Sequence, residues 1–156
     1  MDIKKTANLF ANFTIKRIAE IFGITIFGAG VLLLLALLTY SPEDPNFIFP
    51  DNTKIKNILG FHGSFVSDIF FQSIGLVSYL FSFTLIVTGI NIIISKEFFL
   101  IIENIFFAIV YSILGTLFFA HFYSEAFALY INGNGGFIGG YLNQTFLNSI
   151  ILINEV

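Results

Sequence analysis

Cysteine and tryptophan are absent from this chain of 156 residues, and proline occurs only three times. Without cysteine there is no disulfide framework and no thiolate metal site. Charge is scarce as well: 11% of residues are Asp, Glu, Lys or Arg, against 56% apolar. A soluble domain carries about 25% charged residues. A soluble core of this size cannot absorb so much apolar surface without exposing it to water. A bilayer removes that difficulty, and the mean hydropathy of +0.90 agrees. The net charge of -3 provides no basic patch for nucleic acid or for anionic lipid. No Walker A motif occurs, so no nucleotide site is expected.

What is present is a series of uncharged runs. Residues 1–20 hold Lys4, Lys5, Lys16 and Arg17 around a weakly amphipathic stretch (Leu9, Phe10, Phe13, Ile15, Ile18). Ile21–Leu38 carries no charge. At about 1.5 Å per residue it covers nearly the ~30 Å of a hydrocarbon core. It is too long for a signal-peptide core, and no A-x-A site follows. Pro42, Pro45 and Pro50 then end any helix near Tyr40, because proline lacks an N–H and disfavours helix before it. The reading is a first span over 21–40 and a loop over 41–68. A second span follows over 69–95, a turn over 96–98 and a third span over 99–121. A loop over 122–136 leads to an amphipathic or re-entrant helix over 137–152. That tail is short and is interrupted by Asn143, Gln144 and Asn148, which fits a membrane surface better than a full crossing. The fold class is thus all-α integral membrane, with three transmembrane helices and a short C-terminal helix.

Basic residues set the expected orientation. Lys4, Lys5, Lys16, Arg17 and Lys96 fall on one side of the membrane and only Lys54 and Lys56 on the other. The positive-inside bias places the N-terminus and the 96–98 turn in the cytoplasm, and both loops in the periplasm.

Small residues mark expected packing faces. Ala108, Ser112, Thr116 and Ala120 recur every fourth residue in the third span, and Gly75, Ser78, Ser82 and Gly89 mark the second. Such stripes let backbones approach, so the second and third spans are expected to pack as an antiparallel hairpin. No ionisable residue lies at mid-depth, which disfavours a transporter or pump. Glu103 and His121 read as interfacial anchors, and His121–Glu125 is too sparse a pair for a metal site. Catalytic, cofactor and metal residues are all expected to be none. Gly133-Asn-Gly-Gly136 is not a phosphate loop, and a flexible turn into a helix explains it as well as a GxxxG motif does.

The stretch Leu35-Ala-Leu-Leu-Thr-Tyr-Ser-Pro-Glu-Asp-Pro45 resembles the end of the first transmembrane helix in the N-terminal membrane domain of FtsK/SpoIIIE-type DNA translocases, L-x-T-Y-x-P-x-D-P. Within it Thr39, Tyr40, Pro42, Asp44 and Pro45 carry the match. Arg17, Glu20 and Gly23 resemble the R-x-x-E-x-x-G that opens that helix. Asn57, Gly60, Gly63, Ser64, Ser67, Asp68 and Gly75 resemble N-x-x-G-x-x-G-A-x-x-A-D and the glycine after it, with Ser twice replacing Ala. Gly135, Gly136, Gly139 and Leu142 resemble the G-G-x-x-G-x-x-L before the fourth helix.

The resemblance covers residues 15–150. It implies a four-helix membrane anchor for a cytoplasmic hexameric ATPase that moves double-stranded DNA through the division septum. ATP and Mg²⁺ would belong to that motor. The implied partners are the lipid bilayer, division proteins and further copies held through the motor, with no direct nucleic-acid contact by these helices. The implied location is the bacterial inner membrane at the septum. The chain stops at Val156, where the fourth helix would begin. Either it is a piece of a longer protein, which is the favoured reading, or the protein has three spans. The alternative function is a small membrane subunit of a transporter or secretion complex.

Overall fold

The computed structural model describes residues 3–45, 54–123 and 132–147, and the regular structure in them is all helical. The helices are α1 (Ile3–Leu38), α2 (Gly60–Ile74), α3 (Val77–Ser95), α4 (Phe99–Phe122) and α5 (Gly136–Leu142). A π-helical turn, Asn143–Leu147, follows α5. Three stretches are long and apolar enough to cross a membrane: Asn8–Leu38 of α1, all of α3 and all of α4. The chain is therefore an all-α membrane protein.

α1 and α3 form the central antiparallel pair. They meet at small residues, which is what brings helices close in lipid, where no hydrophobic force draws them together. A Cβ on Gly89 would lie 2.5 Å from the Phe27 nitrogen and 2.7 Å from the Gly23 carbonyl oxygen. One on Gly30 would lie 2.8 Å from the Ile86 nitrogen. α4 flanks α3 through two side-chain bonds, Thr84 Oγ1 with Tyr111 OH at 2.8 Å and Asn104 Nδ2 donating to Thr88 Oγ1 at 2.9 Å.

α2 shows amphipathicity opposite to that of a soluble helix. Its buried face is Gly63, Ser64, Ser67, Asp68 and Phe71, while Phe61, Val66 and Ile69 are exposed. The buried face packs on the last turns of α1, where Leu33, Leu37 and Phe71 form a core with Tyr40 and Tyr79 around it. The end of the bundle at which α1 finishes is called distal below, and the end at the Lys96 turn proximal.

Several expected boundaries move. Residues 1–20 were expected as a segment separate from the span over 21–40, but α1 is helical from Ile3. Nothing in 3–22 breaks a helix, so the change from charged to apolar marks only a change of surroundings. The expected 41–68 loop contains most of α2, because no proline follows Pro50. The expected single span over 69–95 breaks at Gly75, which adopts φ 59° and ψ -138°, a conformation open only to glycine. Of the expected 137–152 helix, residues 148–152 lie outside the described residues, as does Glu125.

Candidate functional site

The resemblance residues of the distal end form a polar lock between three chain segments. The first segment leaves α1. Thr39 Oγ1 donates to the Leu35 carbonyl at 2.7 Å and accepts from Ile58 N at 3.3 Å. Ser41-Pro42-Glu43-Asp44 closes a β-turn, with Asp44 N donating to the Ser41 carbonyl at 3.1 Å. Proline's fixed φ suits the second position of such a turn. The turn drives the Asp44 carboxylate inward, to 2% exposure. There it accepts the backbone N–H groups of Lys56 and Asn57, each at 2.8 Å. Such charge-assisted bonds are what make burial of a carboxylate tolerable. Ser64 Oγ closes the same segment by donating to the Pro45 carbonyl at 2.9 Å. On the solvent side Glu43 pairs with Lys56. The ammonium holds the Glu43 carboxyl below its ordinary range, and the carboxylate raises Lys56.

The second segment, 54–75, caps α1 from a distance. The last carbonyls of a helix lack intrahelical partners. Asn57 Nδ2 takes the Ala36 carbonyl at 2.9 Å, and Tyr79 OH takes that of Leu37 at 3.3 Å. Asn57 Oδ1 accepts Leu59 N at 3.1 Å and occupies the space at Gly63, where a Cβ would lie 2.1 Å from it. Gly60, half-buried, opens α2 with φ 65°. The buried Asp68 accepts the Tyr40 hydroxyl at 3.1 Å, and the Tyr40 ring packs on Phe71 with centroids 4.9 Å apart.

The third segment is the glycine-rich turn before α5, and it is docked against α2, α3 and α4. The Asn134 carbonyl accepts Leu76 N at 2.9 Å, just past the α2–α3 break. A Cβ on Gly75 would lie 1.9 Å from that oxygen, and one on Gly136 would lie 2.6 Å from the Ser73 carbonyl oxygen. The fully buried Asn134 also donates through Nδ2 to the Tyr123 carbonyl, and Asn132 Nδ2 donates to that of Gln72 at 3.2 Å. α5 then lies on α4: a Cβ on Gly139 would lie 2.3 Å from the Thr116 carbonyl oxygen. His121 Nδ1 meets Asn143 Oδ1 at 3.1 Å.

Arg17, Glu20 and Gly23 lie at the proximal end instead. The Glu20 carboxylate joins Arg17 to Lys96, the latter at 2.8 Å, so it ties α1 to the α3–α4 turn. Lys96 itself takes the left-handed conformation that ends α3, φ 61°.

The expected helix stripe divides between partners. The backbone carbonyl of the buried Thr116 and the half-buried Ala120 meet Gly135 and Gly139. Ala108 is buried, and half-buried Ser112 lines with it a groove of about 240 Å³ between α2, α3, α4 and α5. The Gly89 face of α3 meets α1. The stripe is therefore shared: Ala108 shares a small cavity with Phe81, Thr84 and Thr88 of α3, and a Cβ on Gly115 would lie 3.0 Å from a Val77 methyl, while α1 takes the Gly89 face of α3 and α5 the Thr116–Ala120 end of α4. Sequence reasoning missed Gly30, Tyr79, Asn104 and Asn134. Gly23–Gly30 spacing was a usable signal for the first, and Asn among glycines for the last. Among the described residues no group of three His, Asp or Glu side chains is placed to hold a metal. The chemistry on display is hydrogen bonding that fixes helices to one another.

The family model described as the 4TM region of DNA translocase FtsK/SpoIIIE matches residues 15–153. The DNA translocase FtsK of Rhizobium meliloti is 32% identical over 78 residues, 50% of this chain and 9% of that protein. That of Caulobacter vibrioides is 37% identical over 68 residues, 44% of this chain and 8% of that protein. That of Azospirillum brasilense is 28% identical over 87 residues, 54% of this chain and 14% of that protein. The matches thus span a seventh or less of these curated relatives' length. No solved structure matches the chain.

Proposed function

We propose, from the premise that this chain belongs to the family of FtsK/SpoIIIE DNA-translocase membrane regions, that it anchors a DNA-moving motor in the bacterial inner membrane at the division septum. The observation that carries the reading is how the family-motif residues are used. Asp44, Asn57, Asp68, Gly75 and Gly136 all serve contacts between chain segments. A domain whose characteristic residues hold helices together is suited to bearing load. In this reading the membrane region contributes position, and ATP and Mg²⁺ act in the motor. Oligomerisation through the motor, contact with division proteins and the absence of direct DNA contact belong to the same proposal.

The proposed orientation puts Lys96 in the cytoplasm and Lys54 in the periplasm, from the uneven distribution of basic residues. The chain has no native cysteine, so single replacements report cleanly. In outer-membrane-permeabilised cells an impermeant thiol reagent should label Lys54→Cys and spare Lys96→Cys. The reverse pattern inverts the topology. For function, a fluorescent fusion of the chain should collect at septa, and Gly75→Val, compared at a matched membrane level, should disperse it. A fusion spread evenly around dividing cells would remove the septal part of the proposal.

A further inference from the structure

α1 outruns the bundle it belongs to. Glu20 is level with Lys96, at the turn where α3 and α4 end, so the Glu20–Lys96 pair marks the proximal limit of packed structure. Residues 8–18 lie beyond it in α1, and every one of them is exposed. They carry large apolar side chains: Leu9, Phe10, Phe13, Ile15 and Ile18 are each at least 50% exposed, Phe10 reaching 73%. Left in water, that many apolar groups on about three helical turns would be an aggregation-prone patch.

The segment is not uniform around its axis. Asn8, Asn12 and Lys16, four residues apart, share one side. Phe10 and Phe13 fall on the other, and Arg17 lies there too with its guanidinium 5.1 Å over the Phe13 ring. Leu9 and Ile15 flank the Asn8–Asn12–Lys16 side, each about 60° from its middle. The charge is of one sign. Lys4, Lys5, Lys16 and Arg17 precede Glu20, and no acid lies between Ile3 and Ala19. The overall charge of -3 conceals this, because four of the seven basic residues are gathered here while the acids lie mostly elsewhere.

We propose that residues 8–18 of α1 bed in the headgroup layer of an anionic lipid surface, with Phe10 and Phe13 toward the acyl chains and Lys16 on the phosphates. Three features favour lipid as the occupant. The helix runs directly into a membrane span, so a bilayer is always within reach. Its apolar groups and its cations are the pair that interfacial helices use. Anionic headgroups supply the complementary charge. Among the described residues no neighbouring element packs on the helix beyond Glu20, so it can tilt or bend into the surface.

The inference rests on the membrane-anchor reading, and the test separates the two. The chain contains no tryptophan, so Phe13→Trp and Leu32→Trp each introduce a single emitter. The purified chain is placed in nanodiscs of phosphatidylcholine, or of phosphatidylcholine with phosphatidylglycerol, each also prepared with brominated acyl chains. Both leaflets are alike, so sidedness does not enter. Leu32→Trp should be blue-shifted and quenched by bromine in both lipids; if it is not, the anchor reading itself fails. Phe13→Trp should be blue-shifted and quenched in the phosphatidylglycerol discs at low salt, and should shift to the red in phosphatidylcholine or at high salt. Adding Lys16→Gln should lower its bound-to-free ratio roughly fivefold. A Phe13→Trp signal that stays red beside a buried Leu32→Trp overturns the proposal. A signal equally buried in both lipids overturns its anionic part.

Discussion

Adjacent residues in α5 have opposite expected tolerances, which makes the docking of this helix testable at single-atom scale. Gly139 faces α4 so closely that a Cβ would lie 2.3 Å from the Thr116 carbonyl oxygen. For Gly140 nothing lies within 4 Å. Gly139→Ala must therefore push α5 off α4, at about 1–3 kcal/mol, the usual range for overpacking. Gly140→Ala should change stability by less than about 0.5 kcal/mol, or improve it through helix propensity. Melting of the two variants in one detergent decides it: equal losses would mean that α5 is not seated on α4 as described. Gly75→Ala adds a second mechanism to the first. Its φ of 59° strains any side chain, and its Cβ would meet the Asn134 oxygen at 1.9 Å, so a loss of about 2–4 kcal/mol is expected. Its companion Asn134→Ala keeps the backbone carbonyl that accepts Leu76 N and loses only the amide bond to Tyr123, so about 1 kcal/mol is expected. The opposite ranking in the same melts would show that the side chain, not the backbone approach, holds the turn.

At the scale of elements, what the sequence made legible followed hydrophobic length, and what it hid followed long-range contact. The uncharged run at 21–38 and the tight turn at Lys96 are local signals, and α1, α3 and α4 appear where those signals lie. The break at Gly75 was not legible, because an isolated glycine in an apolar run is tolerated in most membrane helices. What makes this one a break is Asn134, 59 residues away, whose carbonyl takes the freed N–H of Leu76. The stripe on α4 was legible as a stripe but not in its partners, since spacing identifies a close-packing face and says nothing of which helix arrives. The distal motif residues could be picked out by resemblance, yet their roles needed coordinates: nothing local says that Asn57 caps α1 or fills the space at Gly63. The division of the stripe also gives a prediction. Thr116→Leu would put a larger side chain at a fully buried position whose backbone carries α5 and should cost about 1–3 kcal/mol. Ser112→Leu enters a groove of about 240 Å³ and should cost under about 1 kcal/mol. Thermal unfolding in detergent compares them, and a severe Ser112→Leu beside a silent Thr116→Leu would restore the α3–α4 hairpin as the tight face.

At the scale of the whole molecule, the unusual element is α2, which is too short to cross a membrane yet exposes the wrong residues for water. The polar side chains Ser64, Ser67 and Asp68 point inward, where Ser64 and Asp68 bind the Pro45 carbonyl and the Tyr40 hydroxyl. Its outward residues are Phe61, His62, Val66 and Ile69, with His62 the one polar side chain among them. The helix also runs beside α1 and does not stand above it: Leu59, His62 and Val66 share a groove of about 320 Å³ with Ala29, Leu32 and Ala36, well inside the first span. Both facts follow if α2 lies in the distal half of the bilayer, packed on α1 with its apolar side to lipid. Five helices, α5 on α4 included, then reach one leaflet and only α1, α3 and α4 the other, an asymmetry that the break at Gly75 makes possible by letting the chain turn back without leaving the membrane. The consequence is measurable with a nitroxide on single cysteines. At Ile69→Cys, collision with oxygen, which concentrates in hydrocarbon, should exceed collision with a water-soluble nickel chelate. At Lys56→Cys, on the exposed loop, the order should reverse. Charge gives an independent reading: Ile69→Lys should destabilise the protein in nanodiscs by about 1–3 kcal/mol if that side chain meets lipid, since a lysine in the hydrocarbon costs up to about 3 kcal/mol. On a water-facing helix the same change should stay within about 0.5 kcal/mol. A nitroxide at 69 that prefers nickel, together with a harmless Ile69→Lys, would lift α2 out of the bilayer and leave its apolar face to be covered by another protein.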